Sequence, residues 1–435
     1  MSLLNPRTKD LEFSGIPGVL AISLGLPTLC VVLHQLCNDH YHQRGLTIDL
    51  DELTNFHGLS FSEIAFNGQV WTYYLLWFFG LVLFDTIIPG TVKKGVTLRD
   101  GTSLSYNING IQLSCLFVLA LATRWQLTHG SMPELVFLYD HTLQFTVVAV
   151  IFSALLALFV QITSYLPLSG SNGKGTKERI LAVGGNSGNW LYDWFIGREL
   201  NPRIGPWDIK LFCELRPGML LWLLLNLASM HHQYLKYGQV YDSMLLVNLL
   251  QAFYIFDGVL NEEGCLTMMD ITTDGFGFML SFGDLALVPF TYSLQARYLA
   301  REPLTLGAHY IGFILGVAFV GFYIFKASNN QKNQFRQGKL PHLKSIQTER
   351  STKLLCDGWW SLSQHINYFG DWLHATSWCL PTGFITPLTY YYICYFAGLL
   401  LHRQHRDELK CKEKYGKAWE EYEKKVPYKI IPYVY

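Results

Sequence analysis

Apolar runs long enough to cross a bilayer recur along this chain, and that feature decides most of what it can fold into. A helix spanning the ~30 Å hydrocarbon core needs about 20 mostly apolar residues. Eight runs reach that length: 17–37, 71–90, 107–125, 142–167, 210–232, 241–260, 275–298 and 305–327. A ninth stretch, 372–401, is too long for one span, and Pro381, Gly383 and Pro387 break it into what reads as a two-helix hairpin. The expected fold class is therefore all-α, a polytopic membrane protein of about ten transmembrane helices. The first run is too long for a cleavable signal, and no small-residue cleavage site follows it.

Charge placement orients the spans. Lys93, Lys94 and Arg99 lie in the 91–106 loop. Lys174, Lys177, Arg179, Arg198 and Arg203 lie in 168–209, and Lys332, Arg336, Lys339, Lys344, Arg350 and Lys353 in 328–370. Alternating helices put all three loops on one side with both termini, and the positive-inside rule makes that side the cytosol. The 38–70 and 126–141 loops carry mainly acids (Asp49, Asp51, Glu52, Glu63, Glu134, Asp140) and fall on the opposite side. With Lys+Arg and Asp+Glu equal at 33 each, no basic excess exists to hold nucleic acid. Nine scattered cysteines without a C-x-x-C pair argue against a disulfide framework or a zinc site.

The span region 253–297 holds Asp257, Glu262, Glu263, Asp270, Asp274, Asp284 and Arg297. Ionisable groups at membrane depth are costly and face a protein interior or a wet cavity; Glu262, Glu263 and Asp270 near helix ends fit the interface equally well, whereas Asp284 lies inside an apolar run. Lys332 and Arg336 stand four apart in SNNQKNQFRQGK, on one helical face, a spacing that suits a phosphate or a basic membrane anchor. In KLLCDGWWSLSQHINYFGDW, Trp359 and Trp360 offer a flat wall for a heteroaromatic ring. Asn367 offers a donor and an acceptor to an amide. An interfacial aromatic belt explains those tryptophans too, but not the Asn and His beside them. The charged segment from 400 to 428 places Arg403, Arg406 and Asp407 within one turn. Asp407, Cys411, Lys414 and Tyr415 recur along one face, with Tyr422 beyond them. A solvated helix face would look similar. GGNSGN at 184–189 lacks the G-x-G-x-x-G spacing and a preceding strand, so it is discounted as a phosphate loop. His231 and His232 have no partners at ligand spacing, and no metal is assigned.

Two long segments, GNWLYDWFIGRELNPR at 188–203 and LLHRQHRDELKCKEKYGKAWEEY at 400–422, resemble the two signatures of the sterol reductase family. The block 253–299 is also typical of that family, and the resemblance runs from Asn5 to the final PYKIIPYVY. Within the family, which includes 7-dehydrocholesterol reductase, the sterol C-24(28) reductase and the membrane half of lamin B receptor, the chain looks most like the fungal sterol C-14 reductases. The resemblance implies an endoplasmic-reticulum membrane enzyme of ergosterol synthesis. It would use NADPH to reduce the C14=C15 bond of a 4,4-dimethyl-8,14-diene sterol. Its partners would be sterol, membrane lipid and other enzymes of sterol synthesis. The implied cofactor pocket is on the cytosolic side of the C-terminal half. Its contacts would be Lys332, Arg336, Leu355, Trp360, Asn367, Tyr368, Arg403, Asp407, Cys411, Lys412, Glu413, Lys414, Tyr415 and Tyr422. One departure shows: related enzymes read R-H-P-N-Y where this chain has Gln364, His365, Ile366, Asn367 and Tyr368.

The expected organisation is a segment 1–209 of membrane helices and cytosolic loop, and a catalytic membrane half, 210–435, holding the sterol and NADPH pockets. An isolated alkene is a poor hydride acceptor, so protonation must precede or lead hydride transfer. Tyr254 is the first candidate proton donor, Glu262 or Asp274 a candidate relay, and Asp284 a candidate stabiliser of the cation; the plain alternative for Tyr254 is a buried tyrosine with a satisfied hydroxyl. The competing readings are reduction at C7 or C24(28), a methyltransferase of the isoprenylcysteine type using S-adenosylmethionine, and a sterol-binding scaffold without turnover.

Overall fold

The computed structural model describes residues 4–37, 56–168 and 178–435. Asp49, Asp51, Glu52, Lys174 and Lys177 lie outside the described residues. The chain is a multi-pass, mostly helical membrane protein. Among the described residues seven helices are long and apolar enough to cross a membrane. The principal helices are α1 (Gly15–Leu36), α2 (Gly68–Ile87), α3 (Gly110–Leu127), α4 (Thr142–Thr163), α5 (Pro217–Tyr237), α6 (Asp242–Leu260) and α7 (Ala308–Arg336). After α7 come α8 (Ile366–Cys379), α9 (Tyr391–Tyr415) and α10 (Lys417–Lys425).

Two of the apolar runs are not single regular helices. The 275–298 run is helical over 278–299, but Gly283–Leu287 forms a π turn and Ser293 a further break. Pro289 contributes: its ring nitrogen cannot donate to the preceding turn, and a π turn absorbs the mismatch. The 372–401 stretch breaks between α8 and α9 at the short helical turns Leu380–Thr382 and Leu388–Tyr390, where Pro381, Gly383 and Pro387 fall.

The chain divides into two compact units, Met1–Val240 with Gln251–Arg301, and Tyr241–Leu250 with Glu302–Tyr435. In the first unit the helix ends sort into two sets. One joins Asp85 to Arg216 at 3.1 Å, Lys93 to Glu263 at 3.0 Å and Arg203 Nη1 to Ser105 O at 2.8 Å. The other joins Arg297 to Thr142 Oγ1 at 3.1 Å, Arg301 to Cys37 O at 2.8 Å and His231 to Ser131 O at 3.0 Å. Up-and-down alternation requires this sorting: Lys93 and Arg203, from the 91–106 and 168–209 basic loops, both fall in the first set. Lys93, Lys94 and Arg99 frame a two-stranded hairpin, Thr91–Thr97 with Ser103–Ile108.

In the second unit α8 lies antiparallel beside α7. Asn367 Nδ2 donates to Asn329 Oδ1 at 3.2 Å, His374 Nδ1 meets Ala318 O at 3.0 Å, and Tyr310 donates to Leu380 O at 3.2 Å. Gly321 and Gly370 let the backbones touch, since a Cβ on Gly321 would fall 2.4 Å from His374 N. The pinned stretch of α7, 310–329, rises about 28 Å at 1.5 Å per residue. Residues 367–380 therefore run alongside that stretch of α7.

Candidate functional site

The last two turns of α7 open the polar site of the second unit. Lys332 Nζ stands 3.8 Å above the centroid of the Trp360 ring. Trp360 is buried, and its indole donates to Ser328 O at 2.9 Å, one turn before Lys332. A tight turn, Gly358–Ser361, delivers that ring: Asp357 caps it and Trp359 N donates to Gln331 Oε1 at 2.9 Å. Gly358, at φ +59, takes the left-handed conformation that this turn needs and other residues rarely adopt. Beneath it, the hairpin Ser345–Gln347/Lys353–Leu355 brings buried Leu355 against Trp360 and Ile366.

The start of α8 adds His365, Asn367 and Tyr368. The His365 ring stacks on Tyr368 at 4.8 Å between centroids, and His365 Nε2 lies 3.8 Å from Asp407 Oδ2. Burial pushes the His365 imidazole down to about 4, against the pull of Asp407. At neutral pH it is uncharged and faces the carboxylate as a polar ring, not as an ion-pair partner. Asn367 directs its amide nitrogen to Asn329, whose own amide donates to Phe325 O at 2.9 Å, while Asn367 Oδ1 is shielded from solvent with no hydrogen-bond partner.

Helix α9 presents two stripes. Arg403, Asp407, Cys411 and Lys414 recur at helical spacing, with Cys411 Sγ 4.0 Å from Asp407 Oδ2. Asp407 and Cys411 act electrostatically on Lys332. Tyr422, from α10, is buried with Ile346, Trp419 and Val426, and Cys411 and Tyr415 pack against that cluster. Burial raises its hydroxyl well above the usual range. The second stripe faces elsewhere: Lys412 pairs with Glu408 at 2.6 Å and Glu423 at 3.5 Å. Glu413, Lys414 and Arg336 are exposed. The structure thus gathers Lys332, Leu355, Trp360, Asn367, Tyr368, Asp407, Cys411, Tyr415 and Tyr422 in one unit. It sets Lys412 and Glu413 apart from the Asp407 stripe. His365 and Asn329 were not among the expected contacts, although His365 sat in view within the QHINY segment. Together the cations Lys332 and Arg336 and the orphaned Asn367 oxygen fit a phosphate-bearing cofactor with an amide, while the buried Trp360 ring supports the Lys332 ammonium.

The four acids and hydroxyls considered for proton handling lie in the first unit and do not form one cluster. Glu262, 1% exposed, accepts from Arg216 at 2.5 Å and from the Gly110 amide at 2.8 Å. Arg216 also holds Asp85 at 3.1 Å and Asn109 at 2.9 Å. Tyr254 is half-buried, 6.1 Å from the ring of Trp222. Trp222 and Asn226 both donate to Gln251 Oε1, at 3.0 and 2.6 Å, so a polar network lies one turn from Tyr254. Eight residues separate Tyr254 from Glu262, about 12 Å of helix rise, so no direct proton hop joins them. Asp274 is buried, and its carbonyl accepts from fully buried Lys210 at 2.8 Å. Asp284 occupies the π turn, with Oδ2 shielded and unpartnered. Gly218 permits this approach of α5, since a Cβ there would fall 1.8 Å from Asp284 O.

The GGNSGN loop uses its donors internally. Ser187 N, Ser187 Oγ and Gly188 N all reach the Asp193 carboxylate, at 2.8, 2.7 and 3.2 Å. Gly197, at φ +96, crosses the backbone of 275–277, where a Cβ would lie 2.3 Å from Gly275 C. Trp194 stacks on Phe278 at 4.7 Å, and Arg179 grips Glu199 through both oxygens at 2.7 Å. The 188–203 segment is therefore a brace for the stretch that carries Asp274 and Asp284.

The family model described as "Ergosterol biosynthesis ERG4/ERG24 family" matches residues 7–435. The chain is 60% identical to a Delta(14)-sterol reductase of Saccharomyces cerevisiae, covering all of both chains. It is also 60% identical to one of Candida albicans, over all of this chain and 99% of the other. A third, from Schizosaccharomyces pombe, is 51% identical over 98% of this chain and 97% of its own length.

Proposed function

Because the chain belongs to the ergosterol biosynthesis ERG4/ERG24 family, we propose that it is a Δ14-sterol reductase acting in the endoplasmic-reticulum membrane with both termini in the cytosol. The observation that carries this reading is end-to-end identity, not a shared motif, with proteins named for that reaction. The substrate we assign is a 4,4-dimethyl-8,14-diene sterol, reached from the lipid phase, with other sterol-synthesis enzymes as neighbours.

We take the reductant to be NADPH, which when bound supplies hydride to the sterol. Lys332 and Arg336 would hold its phosphates, Trp360 would hold the Lys332 ammonium in place from beneath, and Asn367 would offer its free oxygen to an amide N–H. Leu355, Tyr368, Arg403, Asp407, Cys411, Lys414, Tyr415 and Tyr422 complete the proposed wall. A proton adds at C15, leaving a tertiary cation at C14; hydride then closes the valence, so one proton and one hydride are consumed per double bond. The protein must supply the proton and stabilise the charge. We assign donation to Tyr254, with Asp274 as the source that recharges it and Asp284 as the carboxyl that stabilises the cation; Glu262 could take part only through an intervening group.

The test is an assay of the purified protein in detergent with NADPH and the diene sterol, product followed by mass spectrometry. NADH, S-adenosylmethionine and a 7-ene sterol are the controls. Loss of the 14-ene with NADPH alone is the expected result. Reduction of the 7-ene instead, or methyl transfer, would overturn the assignment.

A further inference from the structure

Lys429 lies in the final PYKIIPYVY and is not one of the expected cofactor contacts, yet it touches both sides of the proposed cofactor site. The stretch 426–430 runs beside 363–365. Gln364 N donates to Tyr428 O and His365 N to Lys429 O, both at 2.8 Å. Gln364 Nε2 donates to Val426 O at 2.9 Å, and Ser363 Oγ to Ile430 O at 2.8 Å. Four carbonyls of this strap thus fix the residues just ahead of α8. The Lys429 ammonium, meanwhile, reaches Glu408 Oε2 at 2.7 Å. Glu408 is the next residue after Asp407, and Gln404 and Lys412 bind it further, at 2.8 and 2.6 Å.

One residue therefore holds two elements. Its carbonyl sets the backbone of His365, and its side chain sets the turn of α9 that carries Asp407. We propose that Lys429 is a positioning residue that fixes the spacing between His365 and Asp407, and through it the shape of the dinucleotide site. The proposal rests on the reading of that site as an NADPH site. Lys429 touches no reacting group itself; it acts by limiting how far α9 can shift against the start of α8. The buried face of Glu408 makes the contact directional, and the other cation on Glu408, Lys412, binds the opposite oxygen and cannot replace it.

Lys429→Met keeps the stem and the backbone carbonyl and removes only the ammonium. The expected result is a rise of about tenfold in KM for NADPH, the scale of one lost charge-assisted hydrogen bond. KM for sterol and kcat at saturating NADPH should stay at the wild-type values, with the thermal midpoint lowered by no more than about 4 °C. Lys429→Arg should recover most of the affinity, and Glu408→Gln should shift KM for NADPH the same way. A wild-type KM for NADPH in Lys429→Met would overturn the proposal, and so would parallel changes in both KM values with a midpoint lowered further than that. NADPH binding measured directly on the wild type and Lys429→Met applies the same criterion without turnover. A wild type that binds NADPH but fails to reduce the 14-ene refutes the assigned reaction while leaving this comparison decisive.

Discussion

Glu262→Gln separates two jobs that the first unit could give to one carboxylate, tying the bundle together and feeding protons to the reaction. Glu262 is 1% exposed and Arg216 2%, and they meet at 2.5 Å. Removing one partner of a buried pair costs about 3–5 kcal/mol. Arg216 keeps Asp85 at 3.1 Å and Asn109 at 2.9 Å, and a glutamine still offers one oxygen, so the lower end, about 3 kcal/mol, applies. For a unit of this size each kcal/mol moves the thermal midpoint by about 2 °C, giving a fall of about 6 °C. The assay is thermal unfolding of the detergent-solubilised protein beside kcat measured well below the transition. If Glu262 is chiefly a structural tie, the midpoint drops and kcat is retained. An unchanged midpoint with a collapse of kcat would refute the structural reasoning and make Glu262 the relay.

Three further outcomes follow from the geometry. Tyr254→Phe removes the proposed donor and leaves the ring against Trp222, so kcat should fall by at least about a hundredfold with KM for NADPH unmoved; retained kcat would end its candidacy. His365 is buried as the neutral ring, so between pH 6.5 and about 4 the unfolded chain binds a proton that the folded chain does not. Stability should fall as pH drops through that window, by up to about 3 kcal/mol, and be fully present above it; thermal midpoints of wild type and His365→Gln should converge in acid, and parallel curves would contradict the burial argument. Gly197→Ala should cost about 3 kcal/mol or more, because the Cβ would meet the 275–277 backbone, whereas Gly205→Ala, also at positive φ but facing open space, should cost about 1 kcal/mol; equal midpoints would show that the crossing can relax.

Seven of the roughly ten expected spans were legible because hydrocarbon demands long apolar runs and short basic loops, and those are one-dimensional properties. The π turn at Gly283–Leu287 was not, since no apolarity pattern distinguishes 3.6 residues per turn from a locally wider helix. The Lys332–Trp360 contact was half legible: the sequence placed both residues in charged and aromatic patches, but their meeting depends on the turn at Gly358. On α9 the sequence grouped 411 to 415 as one run. Helix geometry splits that run, sending Cys411 toward Asp407 and Lys412 toward Glu408. Lys429 could not have been found, because its two contacts span 21 and 64 residues and one is made by a backbone carbonyl.

Buried polar groups in a membrane protein can be ranked by how fully they are hydrogen-bonded. Lys210 places its ammonium on Ile271 O and Asp274 O, Gln251 uses both ends of its amide, and Glu262 uses both oxygens. Satisfied networks of this kind hold helices in register where the hydrophobic effect cannot. Asp284 Oδ2 and Asn367 Oδ1 are among the acceptors shielded from solvent with no hydrogen-bond partner, as Asn226 Oδ1 and Gln364 Oε1 also are. Leaving such an atom unpaired costs about 1–3 kcal/mol, a cost that apolar replacement would remove. A chain that retains it at a π turn in one unit, and beside a cation–aromatic contact in the other, retains it where helix geometry is already irregular or charge already concentrated. At those two places an acceptor is better used by a ligand than by the fold, and that is the ground on which we propose Asp284 and Asn367, ahead of the better-connected Glu262, for the chemistry of their units.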